Sequence, residues 1–429
     1  MRTNIIQELY NRGLIKKLTD EINLKKTVQE KKIHIYCGFD PTAESLHIGH
    51  LIPLLCLKHF YLNGHIPIVV IGGATALIGD PSFKEKNANF LHKETVYNWT
   101  QKIEKQIKSF ILCKKNLTSL NILNNYSWLK NLTILDFLRK FGIYCSVNKL
   151  LNKESIKMRL RKKAHLSFMT FSYSFLQGYD YCFLNKKYNV ILQIGGSDQW
   201  GNITLGIDLV NHVNKKTVYG LTTPLMVRSN GTKLGKSDNC KSIIWLDKNK
   251  TSVYDFYQFW LNSSDEDVFK FLKMFTFLKI SDISKLEKKF IHKKIKPFVI
   301  QKILAQEITH IVHGKKQLNL AKKATSILFH KDVLKISEKD FILLSISGVR
   351  IYKVFKKNID IKSILVNSGL SKSKKNAQNI ILSSSVSINN SKNVPENYIF
   401  KNSDKLYDKY TILKKGKKNF CLLIWMHAF

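Results

Sequence analysis

Long apolar runs, arginine, acidic residues and paired cysteines are all scarce in this 429-residue chain. The longest apolar stretch, Ile66 to Ile78, is broken by Gly72-Gly73 and falls short of the roughly 20 residues that cross a bilayer. Met1 to Leu18 has no continuous apolar core of the kind a secretory leader carries. A soluble, cytoplasmic protein is therefore expected. Cys37, Cys56, Cys113, Cys145, Cys182, Cys240 and Cys421 are scattered, odd in number and free of any Cys-x-x-Cys pair. That argues against a disulfide framework and a zinc site, and it fits a reducing compartment. Acidic residues number 31 against 70 lysines and arginines, for a formal net charge of +39. The sign suits a polyanionic partner such as nucleic acid. Arginine is confined to positions 2, 12, 139, 159, 161, 228 and 350, so the excess is lysine, accompanied by much asparagine and isoleucine. A+T-rich coding produces the same pattern, and both readings stand.

What is present reads as an ordinary globular composition, 44% hydrophobic, in a chain long enough for two or three domains. Residues 33–38 alternate as a strand, and helical spacing runs from about Ile48 to Asn63. The buried run Ile66 to Ile71 is a second strand, completing a βαβ unit with a right-handed crossover. Helical spacing returns over 92–112 and about 133–163. Val190 to Ile194 is a near-continuous apolar run typical of a central parallel strand. From Trp245 to about Phe329 the chain reads as helical, with Tyr254, Phe256, Tyr257, Phe259 and Trp260 as core packing. Residues 360–429 form a small basic α/β module.

Chemistry concentrates at the strand-to-helix turns, where ligands of parallel sheets bind. Tyr36 to His50 ends a strand, turns through Asp40-Pro41-Thr42, and opens a helix with His47-Ile48-Gly49-His50. A helix N-terminus offers unpaired N–H groups to phosphate. As metal ligands the two histidines lack the cysteine or carboxylate cluster that would complete a set. Gly195-Gly196-Ser197-Asp198-Gln199 follows the central strand and suits ribose and backbone-polar recognition. Further on, Lys233-Leu234-Gly235-Lys236-Ser237 forms a glycine and lysine loop.

The pairing of His-Ile-Gly-His with Lys-x-x-Lys-Ser resembles the two signatures of class I aminoacyl-tRNA synthetases, and the surrounding sequence is similar to the bacterial tyrosyl type over nearly the whole chain. The resemblance implies a Rossmann-like parallel-sheet catalytic domain with inserted helices, then a helical domain and a small C-terminal α/β RNA-binding domain. It implies that Tyr36 and Asp180 bond the phenol of tyrosine, that Asp80, Tyr173 and Gln177 hold its ammonium group, and that Gln199 lies near its carboxylate. Tyr173, Gln177 and Asp180 share one helical face by spacing. For ATP it implies Asp40, Gly49, Gly196, Asp198 and Lys236 as binding residues. Thr42, His47, His50, Lys233 and Lys236 are implied as the catalytic set, with Thr42, His47, Lys233 and Lys236 on the phosphates and His50 packed against the nucleoside beside Gly49 and Gly196. ATP is then a substrate accompanied by magnesium, with no protein-bound metal site. The partners are tRNA(Tyr), tyrosine and a second copy of the chain, joined through inserted helices near 130–165.

Two departures are visible: Leu234-Gly235 stands where the family has Met-Ser, and the loop after Pro81-Ser82 carries Lys84 and Lys86 but no arginine. The C-terminal module resembles a ribosomal-protein RNA-binding domain, with Lys374, Lys375 and Asn376 where arginines are expected, which keeps phosphate attraction without the bidentate fork. The expected division is 1–235 catalytic, 236–335 lysine loop and helical domain, 336–359 linker and 360–429 RNA-binding. Three rivals are a tryptophanyl relative, a small-molecule nucleotidyltransferase with a His-x-Gly-His turn, and a non-catalytic RNA-binding protein on the same fold. Tyr36 with Asp180, the lysine loop and the intact histidines argue against them in turn.

Overall fold

A computed structural model describes residues 4–80, 91–111, 120–151, 153–163, 167–229, 231, 236–237, 240–330, 333–355, 359–392 and 394–426. They divide into two compact units, Met1–Asp247 with Ser264–Ile300, and Lys248–Ser263 with Gln301–Phe429.

The first unit is built on a six-stranded sheet. Its strands are β1 (Lys17–Leu18), β2 (His34–Phe39), β3 (Ile66–Ile71), β4 (Asn121–Asn124), β5 (Val190–Gly196) and β6 (Tyr219–Thr223), in the spatial order β1-β6-β5-β2-β3-β4. All pairs are parallel except β1 with β6. Because β2 leads to β3 on one side while β5 leads to β6 on the other, the chain reverses direction between β2 and β5. That is the switch point at which a crevice opens beyond the carboxyl ends of the strands. The turns after β2 and β5 carry His47 and Asp198, so the topology alone brings the two motifs together.

The helix Ile48–Leu62 is apolar on almost every side, burying Leu51, Ile52, Leu54, Leu55, Leu57 and Phe60. A helix so patterned has to be covered all round. It packs on β2, β3 and β5 and is wrapped by the helices Ile5–Asn11, Lys93–Ile111 and Asp265–Phe275. The helix Phe168–Tyr188 packs along Trp200–Val213, where Gly178 is required: a Cβ there would fall 2.6 Å from Leu209 Cδ1. The stretch expected as helical over 133–163 is four short pieces, Ile134–Lys140, Gly142–Tyr144, Val147–Leu151 and Glu154–Arg161.

In the second unit the predicted aromatic cluster is core, with Tyr254, Phe256, Tyr257 and Trp260 buried. A four-stranded sheet runs in the order Val386–Ile388, Tyr410–Lys415, Asn419–Trp425, Ile351–Val354. The helices Ile361–Asn367 and Lys374–Leu382 cover one face through Ile364, Leu365, Ala377 and Ile381 against Leu413, Cys421 and Leu423. Tyr410, Ile412 and Leu422 join a second core with Tyr254, Ala324, Ile327 and Phe341. Residues 336–359 differ from the linker read in the sequence: they hold the helix Glu338–Ile346, capped by Ser337 and Asp340, and the strand Ile351–Val354. That strand pairs in parallel with Asn419–Trp425, so the apolar residues of this span pack rather than connect.

Candidate active site

The crevice has a closed end and an open end. At the closed end Asp180, one of three expected residues on the helix Phe168–Tyr188, is buried. Its Oδ1 accepts from Trp128 Nε1 at 2.7 Å and its Oδ2 from Asn125 Nδ2 at 3.0 Å. Burial pushes its carboxyl up to about 7 against the opposing pull of those two bonds. Tyr36, from β2, is also buried, its ring edge-on to Tyr181 at 5.2 Å. Its hydroxyl has no hydrogen-bond partner among the described residues. Burial, with the charge of Asp180 next, holds that phenol well above its ordinary value. A buried hydroxyl without a partner is costly, and one beside a carboxylate that still has acceptor capacity suits an incoming hydroxyl.

Asp40, expected on the ATP side, instead has its carboxylate held by Thr75 Oγ1 and Tyr173 OH, both at 2.7 Å. Burial raises it to about 6. Gly72 makes room for it, since a Cβ there would fall 1.8 Å from Asp40 Oδ1. Tyr173 is thereby tied to β2, with Asp80 near enough to act on its phenol. Asn125 joins the pieces: its Nδ2 also donates to Thr75 Oγ1 at 3.0 Å and its Oδ1 accepts from Ala74 N at 2.8 Å.

Gln177, Gln199, Asp80 and Asp198 form a second network. Asn202 Nδ2 donates to Gln177 Oε1 and Gln199 Oε1, each at 3.1 Å. Gln199 Nε2 donates to Asp80 at 2.7 Å and to Asp198 at 2.6 Å. Gln199 thus bridges the two aspartates. Gly196 lies close to Asp198, whose Oδ1 would be 2.5 Å from a Cβ at that position.

At the open end Thr42 and Gly49 are exposed and the two histidines half-buried. The rings of His47 and His50 stack at 3.9 Å. His47 Nδ1 accepts from Gly49 N at 3.0 Å, and His50 Nδ1 accepts from His47 N at 3.2 Å. With Nδ1 an acceptor on each ring, Nε2 carries the proton. Burial lowers both imidazoles, His50 the further, with His47 adding to its shift. They are neutral N–H donors rather than cations. The expectation of unpaired helix N–H groups is corrected here: Ile48 N donates to Ile244 O and His50 N to His47 O, as Gly49 N does to the His47 ring. A Cβ at Gly49 would stand 2.7 Å from His47 Cε1, so the glycine keeps that ring in its capping place. Residues 244–246 bond back to 46–48, and Lys236–Ser237 is a short strand paired with Cys240–Ile243. Lys233, and the departures Leu234-Gly235, Lys84 and Lys86, lie outside the described residues.

Asn125 and Trp128 escaped the sequence reading. The available signal was Asn124-Asn125 directly after the apolar pair Ile122-Leu123, at the carboxyl end of a strand, where a buried amide has to find partners.

Residues 28–330 match the family model described as tRNA synthetases class I (W and Y), and 342–423 match that of the tyrosine–tRNA ligase SYY-like C-terminal domain. The tyrosine–tRNA ligase of Wigglesworthia glossinidia brevipalpis is 61% identical over 423 residues, covering 98% of this chain and 99% of the relative. That of Escherichia coli O139:H28 is 46% identical over 424 residues, with 99% of each covered. Among solved structures, a C-terminally truncated mitochondrial tyrosyl-tRNA synthetase of Aspergillus nidulans superposes with a TM-score of 0.68 at 31% identity, covering 76% of this chain and 95% of that one.

Proposed function

The chain belongs to the class I tRNA synthetases of the tryptophan and tyrosine group, and from that premise we propose how its residues carry out tyrosine–tRNA ligation. The reaction activates tyrosine with ATP to tyrosyl-adenylate and pyrophosphate, then transfers tyrosine to the terminal adenosine of tRNA. The observation that carries the residue assignment is the buried pair of Asp180, held from behind by Trp128 and Asn125, and Tyr36, whose hydroxyl is unpartnered among the described residues. In this reading the substrate phenol donates to Asp180 and bonds Tyr36. Asp80, Tyr173 and Gln177 take the ammonium, and Gln199 turns the carboxylate toward the α-phosphate. Asp40 orients Tyr173 and, through its carbonyl on Thr42 N, holds the turn that would face ATP. Phenylalanine entering this pocket would leave both groups unpaired, and this family is itself the usual illustration of that asymmetry, at roughly 10⁵.

The carboxylate attacks the α-phosphate in line and needs no protein nucleophile. His47 and His50 donate Nε2–H to oxygens on which charge develops, with Thr42, Lys233 and Lys236 completing the set and Asp198 on the ribose. Magnesium enters and leaves with ATP as part of the substrate. Activation belongs to residues 1–235 with the lysine loop, and tRNA capture to the basic module 360–429, in a cytoplasmic enzyme. We extend the proposal to a homodimer joined through the inserted segment. It is supported by Ile134, Leu135, Ile143 and Phe168, which stand 76, 79, 75 and 78% exposed. Sedimentation of Leu135→Glu tests this and should give a monomer.

Pyrophosphate exchange with each of the twenty amino acids tests the pocket. Exchange with tyrosine alone is expected, with phenylalanine exchange appearing in Asp180→Asn. Unchanged discrimination in that variant would overturn the assignment.

A further inference from the structure

Lys153 is the residue before the helix Glu154–Arg161, in the inserted segment, and no role above uses it. Its side chain runs across Gly201: a Cβ there would meet Lys153 Cδ, Cε and Cγ at 3.4–3.6 Å. Gly201 stands two residues beyond Gln199, whose amide donates to Asp80. Lys153 Nζ is buried and has no hydrogen-bond partner among the described residues. Burial pulls the ammonium down to about 8, while Cys145 and then Asp80 act in the opposite sense. An ammonium out of water with three donors unused is expensive unless something anionic meets it. Burial also holds the Cys145 thiol at about 11, in its neutral form. Asp80 is already bonded to Gln199 and is assigned to an ammonium.

We propose that Lys153 receives the carboxylate of the amino-acid substrate, so that Asp80 and Lys153 take the two ends of one zwitterion. The proposal rests on the reading of Asp80 as part of the ammonium site. An ammonium there recognises the ground-state carboxylate, whose charge is lost as the adenylate forms. Its contribution is therefore to binding more than to rate.

The test compares tyrosine with tyrosinol, which keeps the phenol and ammonium but replaces the carboxylate with a hydroxymethyl group. Equilibrium binding is measured without ATP on the full chain, on Lys153→Met and on Lys153→Gln. Loss of a charge-assisted bond should weaken tyrosine roughly 10- to 100-fold while tyrosinol affinity stays within about twofold. In pyrophosphate exchange KM for tyrosine should rise by a similar factor, with kcat changing far less. Intact tyrosinol binding reports an intact pocket. Equal losses for both ligands, or no loss for tyrosine, would overturn the proposal. So would unchanged tyrosine affinity with a fall in transfer to tRNA, which would assign the lysine to the nucleic acid. Failure of the unaltered protein to bind tyrosinol would instead overturn the tyrosine-site reading, and the lysine with it.

Discussion

The closed and open ends of the crevice solve different problems. At the closed end, Asp180 is a buried carboxylate and Asp40 a half-buried one, their partners come from the protein, and desolvation holds both above the usual carboxylate range. At the open end, His47 and His50 are half-buried imidazoles whose Nδ1 atoms accept the backbone N–H groups of Gly49 and His47, which leaves Nε2–H on each ring as the donor. In the proposed reading one end, preorganised at a standing electrostatic cost, meets a neutral hydroxyl, and the other acts when phosphate charge develops. Selectivity and rate would thereby be separated along the crevice.

The largest test of that contrast is pH. The folded carboxyl of Asp180 sits at about 7 against an ordinary 3.8. Between those values the folded state holds a proton that the unfolded state has released, so stability falls as pH rises. Relative to Asp180→Asn, the unaltered protein should lose stability from about pH 4 to pH 7 and no more above it, by up to roughly 4 kcal/mol at 1.36 kcal/mol per pH unit. Denaturant unfolding at several pH values measures this. A flat difference would mean that the closed end carries no such cost.

At the open end, His47→Ala should slow adenylate formation about 10²–10³-fold, a loss of about 2.7–4 kcal/mol, while leaving tyrosine affinity nearly unchanged. Alanine also removes the cap on Gly49 N, worth roughly 1 kcal/mol, whereas His47→Asn keeps a capping oxygen without a ring. Pre-steady-state rates beside thermal unfolding separate the two roles. Weakened tyrosine binding at a normal rate would join the ends that the comparison divides.

Much of this was legible in sequence because His47–His50 and Gly195–Gln199 follow strands of a parallel sheet, at the edge where ligands of such sheets bind, whereas the lysine signature lies mostly outside the described residues. The Tyr173, Gln177 and Asp180 spacing made one face of one helix, and that helix delivers all three to the crevice. Two things were hidden. Asn125 and Trp128 drew no reading at all, since a support acting through another residue has no motif of its own. Asp40 was given as an ATP residue by the resemblance alone, and only the fold shows Tyr173 and Thr75 on its carboxylate. The histidine tautomers likewise depend on which backbone N–H each ring accepts, a matter of geometry rather than composition.

Trp128→Phe sharpens the closed end from behind. The ring stacks on Phe183 at 4.5 Å, and phenylalanine keeps most of that contact while deleting the Nε1–H that Asp180 accepts. Leaving the carboxylate one donor short should cost about 1–3 kcal/mol in stability and erode rejection of phenylalanine. The substrate hydroxyl then meets a carboxyl more reluctant to ionise. Exchange assays with tyrosine and phenylalanine beside unfolding check both effects. A loss of stability with discrimination intact would make Trp128 a packing residue only.

Tyr36→Phe is the smallest effect and has opposite signs in the two states. In the resting protein the hydroxyl is buried without a partner among the described residues, so deleting it removes an unmet polar group and should leave stability equal or slightly higher. With tyrosine bound the same deletion removes one uncharged hydrogen bond, worth about 0.5–1.5 kcal/mol of preference for tyrosine over phenylalanine. An ordinary core tyrosine would give the first result without the second, and a hydroxyl bonded within the fold would lose stability on deletion. Unfolding and the ratio of tyrosine to phenylalanine exchange, measured on the same preparation, distinguish the three. Equal or greater stability together with weaker discrimination is the outcome that identifies a group held ready for the substrate phenol.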